Sequence, residues 1–205
     1  MVAISTFLDR HVWCAGEDAT ERTNFLMISR PRFIYAYAEM AQVADDVRKN
    51  RAEGDPALVD AAKLSAGDAA TRLRISTAIA VDWAHYARTE LPPIKGATNE
   101  EKVADLTAVL AGATKRRDHA RQAIVNEYGE RFFVRSMTEL WALVDMHDTT
   151  TARVLPYLHW ESYAAALEAM LWWQQRAPYC NRRAITFANI QLRQMGYFPH
   201  ERQVA

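Results

Sequence analysis

Apolar residues along this chain recur at helical spacing almost wherever they recur at all. From Arg32 to Asn50, Phe33, Tyr37, Met40, Ala44 and Val47 follow one another at alternating four- and three-residue steps, with Ile34 and Ala41 beside them. That is the apolar stripe of an amphipathic helix. A second stripe, Leu73, Ile75, Ile79, Trp83 and Tyr86, predicts a helix from about Asp68 to Glu90, capped by Ser65 or Asp68 and stopped by Pro92-Pro93. A third, Trp160, Tyr163, Ala164, Leu167, Met170 and Leu171, predicts a helix over 160–176.

Polar punctuation agrees with the stripes. Thr98-Asn99-Glu100-Glu101 and Ser136-Met137-Thr138-Glu139 both have the capping-box spacing, in which a hydroxyl and a carboxylate satisfy each other's end of the first turn. The first box opens a helix that runs to Tyr128, with Gly129 as its terminator; the second opens a helix containing Leu140, Trp141 and Val144. Asp55-Pro56 reads as an N-cap with proline in the first turn, hence a new helix. Asn181 reads as the cap of a last helix, 181–195, closed by Gly196, and the first thirty residues read as one or two short helices. No run alternates strictly, as a strand would. The expectation is one all-α domain over 1–205, a bundle of about seven or eight helices, with the 91–98 loop as the place where a subdivision would fall.

Composition adds little to that picture. Half of the residues are apolar and 24% charged, glycine and proline are scarce, and the formal net charge is zero. No global field therefore steers the chain toward nucleic acid or membrane. The charge is unevenly spread: residues 1–113 hold 13 Lys/Arg against 16 Asp/Glu, and residues 114–205 hold 12 against 9. Cys14 and Cys180 form no metal-type pair, no stretch has the length of an apolar membrane span, and the first residues do not read as a signal peptide, so a cytoplasmic setting is expected.

Candidate chemistry is sparse. Phosphate-cradling glycine loops, nucleophile elbows and Cys-x-x-Cys are all absent. Asp82 and His85 share a face of an apolar helix, where a buried carboxylate requires a partner, for which Arg32 and Arg72 are candidates. Asp45-Asp46 resembles the diphosphate-binding aspartates of all-α isoprenoid enzymes, but the residues that follow, Val47-Arg48-Lys49-Asn50, make it a solvated helix face, and the strongly charged Lys115–Arg121 reads as a solvated face of its own helix. His119 with His147-Asp148 resembles the metal-binding core of HD-type phosphohydrolases. That resemblance implies a metal held by His119, His147 and Asp148, with a bound water attacking a phosphoester.

Arginine and aromatic residues converge toward the end of the chain. Trp172-Trp173 are consecutive, so one helical stripe does not bury both, and Arg176, Arg182 and Arg183 follow. The leading expectation is a non-catalytic binding protein that uses no cofactor and contacts a protein partner, or another copy of itself, through Trp172, Trp173, Arg176, Arg182 and Arg183. A nucleic-acid alternative rests on the same region. The pair of helices around 177–180 resembles a helix-turn-helix or winged-helix unit, which implies that Asn181, Arg182, Arg183 and Arg193 face bases and phosphates.

Overall fold

The computed structural model describes residue 31, residues 33–176 and residues 182–194. Among them are six α-helices and no strand: α1 Tyr37–Asp60, α2 Ala66–Ala87, α3 Asn99–Tyr128, α4 Met137–Asp145, α5 Thr151–Arg176 and α6 Arg182–Gln194. A 3-10 segment, Glu130–Val134, joins α3 to α4. The chain is thus all-α, with fewer helices among the described residues than the seven or eight expected. The short helices expected within the first thirty residues lie outside the described residues, as do Arg32, Asn181, Cys14, Cys180 and Gly196.

The caps decide where the helices start. The Ser65 side chain accepts the Asp68 amide at the head of α2. Both capping boxes form, Thr98 with Glu101 and Ser136 with Glu139. Gly129, at φ 80°, ends α3 in a conformation that disfavours a side chain. The helix start expected at Asp55-Pro56 is corrected: Pro56 lies inside α1. Pro156 likewise lies inside α5, which starts nine residues earlier than its stripe predicts. In α1 the buried Asp55 carboxylate lies 3.5 Å from the Arg72 guanidinium of α2, and the packing of those two helices carries α1 past the missing amide.

Two antiparallel pairs make the bundle. α1 and α2 pair through Tyr37–Trp83 at one end and Asp55–Arg72 at the other. α3 and α5 pair from Asn99 beside Gln174 to Glu127 beside Arg153, the latter 2.7 Å apart. The α1/α2 pair lies across the first half of α3 and the second half of α5. There Met40, Ala44, Ile79, Trp83, Leu106, Leu167, Met170 and Trp173 form the main core. The other half of the α3/α5 pair runs on to a separate cluster of Ile124, Phe132, Leu140, Val154, Tyr157 and Leu158, covered by α4 and the 3-10 segment. α3 has 30 residues, which at 1.5 Å per residue separates the two ends of the molecule by about 45 Å.

None of the described helices is long and apolar enough to cross a membrane.

Candidate binding surface

The aromatic pair of α5 is core. Trp173 is 0% exposed and Trp172 7%. Their rings meet edge-on at 5.0 Å, and Trp173 Nε1 donates to the Ile34 carbonyl at 2.9 Å. Arg176 lies one turn on, with its guanidinium 3.9 Å from the Trp172 ring centre and Nη1 donating to the Trp172 carbonyl. Of the expected anchor residues, Trp172 and Trp173 thus lie in the core and Arg176 is half-buried against Trp172. α5 is sandwiched, with α1 on one side and α3 on another, so adjacent positions are both covered, and the arginine–aromatic contact is made within the chain.

α6 explains where the later arginines go. Ile185, Ala188 and Leu192 are its buried stripe, joined to the main core. The polar residues beside the stripe bond to the end of α2 and the loop after it. Asn189 Nδ2 donates to the Tyr86 carbonyl at 2.7 Å and Arg193 Nη2 to the Ala87 carbonyl at 3.0 Å. Thr186 Oγ1 donates to the Glu90 carbonyl at 3.2 Å, and Arg182 Nη1 to the Pro92 carbonyl. The last carbonyls of a helix have no partner in their own ladder and carry its negative dipole end, so cations and amides are suited to them. Arg193, assigned by sequence to phosphates, thus caps α2, and Arg182, assigned to a partner or to phosphates, ties α6 to the loop after it. Only Arg183 of these arginines is exposed without a hydrogen bond or ion pair among the described residues. Asn181 lies outside the described residues.

What α6 leaves outside is apolar and basic. Phe187, off the buried stripe, is 43% exposed, and on the loop that α6 holds, Leu91 is 47% and Ile94 84% exposed. Thr186 and Arg182 grip the residues on either side of Leu91, which places this loop against the same helix. Arg183 lies one turn before Phe187, Lys95 is exposed beside Ile94, and the carboxylate of Glu90 is engaged by Arg88 at 3.0 Å. α6 itself contains no acidic residue. Sequence patterning overlooked Phe187, Leu91 and Ile94. The available signal was Phe187 falling opposite Ile185 on a helical wheel, and an isoleucine stranded after two prolines.

Beneath this surface lies a buried polar group. Lys102 Nζ donates to Asp82 Oδ2 at 2.6 Å, with both side chains in the interior. Among the described residues Lys102 is the partner of Asp82, because the first turn of α3 crosses α2 at that level; Arg72, proposed from sequence, instead faces Asp55, and Arg32 lies outside the described residues. Burial raises the Asp82 carboxyl, opposed by Lys102 and, more weakly, by Arg182 and His85. His85 Nδ1 lies 2.8 Å from the Val81 carbonyl of its own helix. A second interior pair joins Arg51 to Asp105 at 2.9 Å, beside a small cavity with room for about one water molecule.

The expected metal triad is not assembled. No group of three or more His, Cys, Asp or Glu suited to a metal ion occurs among the described residues. His119 points to solvent from α3. His147 and Asp148 build the turn between α4 and α5. The Asp148 carboxylate accepts the Thr150 amide at 2.8 Å, which holds its carboxyl below the usual range. That is the capping role open to an aspartate at a helix start, and it explains the dipeptide without a metal. Asp45 pairs with Arg48 and Lys49 along its own helix, as a solvated face does.

Comparison with protein families, with curated proteins and with solved structures finds no match to this chain.

Proposed function

We propose that this chain is a non-catalytic helical binding protein whose contact surface is the outer face of α6 with the 91–95 loop. The observation that carries the reading is the exposure of Phe187 and Ile94 around Arg183, on a helix whose other arginines bond to carbonyls of the same chain. A large apolar side chain beside an arginine is the composition of an interface anchor. The partner that fits is a protein segment presenting an apolar side chain flanked by carboxylates. A second copy fits less well, because symmetry would set the same positive face against itself.

The test is a fluorescence-anisotropy titration of the full chain with synthetic amphipathic peptides of acidic, neutral and basic composition, alongside generic duplex and single-stranded DNA and RNA. Acidic peptides are expected to bind, and Phe187→Ala or Arg183→Glu to weaken that binding about tenfold or more, a change of about 1.4 kcal/mol. Failure of every acidic peptide to bind overturns the proposal. Salt-sensitive binding of nucleic acid that disappears with Arg183→Glu would transfer the surface to the nucleic-acid reading.

A further inference from the structure

α6 is attached to the rest of the chain differently from the other long helices. α1, α2, α3 and α5 close on one another as a ring, each packed on two of the others, whereas the described helix that α6 packs on most closely is α2. The large side chains of the main core, Met40, Trp83, Leu167, Met170 and Trp173, all belong to the ring. The buried apolar side chains of α6 are Ile185, Ala188 and Leu192, one of them an alanine. Few large side chains therefore hold α6 down, and the ring keeps its own packing without them.

Beside that stripe the attachment is polar. Arg182, Thr186, Asn189 and Arg193 follow at steps of four, three and four residues, so they line one edge of the helix. All four donate to main-chain carbonyls, those of Pro92, Glu90, Tyr86 and Ala87 respectively. Water can take the place of a side chain on a carbonyl and of a carbonyl on a side chain. Such bonds fix where α6 sits while adding only modestly to the cost of removing it.

We propose that α6 is a releasable strap, which undocks from α2 as one unit while the ring of α1, α2, α3 and α5 stays folded. Release rests on this packing alone; its effect on binding rests on the proposed function. A contact surface spanning α6 and the 91–95 loop comes apart when α6 undocks, so the docked fraction scales the apparent affinity for a partner.

Hydrogen exchange followed by mass spectrometry, on the full native chain and in increasing urea, decides it. The amides of 186–194 are expected to exchange together, about a hundredfold faster than those of the buried stretches 75–86 and 164–173, and with a shallower urea dependence because less surface opens. A change inside the ring separates the two openings. Ile79 lies between α1, α3 and α5, against Leu106 and Leu167. Ile79→Val keeps the fold and should speed exchange of 75–86 and 164–173 about fivefold. It should leave 186–194 unchanged, since the ring is intact whether α6 is docked or not. Exchange of 186–194 at the rate and urea dependence of the ring overturns the proposal. So does a loss of protection that creeps residue by residue along α6, or an Ile79→Val variant that speeds all three stretches equally.

Discussion

Lys102 Nζ and Asp82 Oδ2 stand 2.6 Å apart in the interior, tying the first turn of α3 to α2 beneath the α6 surface. A cation in the first turn of a helix opposes the helix dipole, and a carboxylate taken out of water opposes its own charge, so each residue depends on the other. Removing one partner strands a buried charge; removing both leaves apolar packing. Lys102→Met should therefore cost about 3 kcal/mol at neutral pH, and Asp82→Leu/Lys102→Met distinctly less. The sign with pH follows from Asp82. Burial already raises its carboxyl above the ordinary value and Lys102 opposes that rise. Without Lys102 the folded carboxyl shifts further above its unfolded value, so the folded variant binds more protons and gains stability as pH falls. Urea denaturation should show the penalty of Lys102→Met shrinking between about pH 7 and pH 5; a penalty that is constant over that range would contradict the assignment.

Trp173 and Phe187 should separate stability from binding. Trp173 fills the main core and donates to Ile34, so Trp173→Ala combines a cavity with a stranded carbonyl and should cost about 4 kcal/mol or more. Phe187 is 43% exposed, and Phe187→Ala should change stability by roughly 0.5 kcal/mol or less. Thermal unfolding of the two variants checks this. Equal destabilisation would mean that Phe187 is a packing residue and not a contact for a partner.

The helices were legible because their signals are local. A stripe such as Met40, Ala44 and Val47, or a box such as Thr98 with Glu101, is decided within a few residues. The candidate site was not legible, for a reason visible in Trp173 and Arg182. Whether Trp173 is an anchor or core depends on a turn 139 residues away in sequence, and whether Arg182 is free depends on a carbonyl 90 residues back. The helix ends show the same limit. Thr89, Ala62 and His147 take the left-handed conformation that sequence reading assigns to glycine, so those ends carried no signal.

Gly96 is fixed by its neighbourhood. Its φ of 96° lies where side chains are disfavoured, and a Cβ built there would stand 2.9 Å from Ala78 Cβ. Its carbonyl also accepts from Arg74, which in turn holds Glu101 of the α3 cap at 2.5 Å. Gly96→Ala should thus push the 91–98 loop off α2 and cost about 2 kcal/mol. Because the same loop carries Leu91 and Ile94, peptide binding at the α6 surface should weaken in parallel. A variant as stable as the native chain would show that the loop shifts without penalty.

His147 sits at φ 53° in the turn that closes α4. Its amide donates to the Val144 carbonyl and the amide of Asp148 to the Leu143 carbonyl, both at 3.0 Å. This pair of bonds is a Schellman closure, in which the residue at the His147 position is normally glycine because a Cβ crowds the following carbonyl there. The ring gives something back: Nδ1 lies 3.1 Å from the Val144 carbonyl. That contact is exposed and so weak, whereas the backbone strain is relieved outright by glycine. His147→Gly is therefore expected to raise stability by about 0.5–1 kcal/mol and to leave the helical spectrum unchanged. A metal centre at His147 and Asp148 requires the opposite, since removing a ligand loses whatever stability a bound ion supplies. Chemical denaturation of the native chain and of His147→Gly, each with and without a chelator, separates the two. A native chain that the chelator destabilises and a variant that it does not would restore the metal reading, and equal curves with the variant shifted upward would leave His147 as a helix terminator.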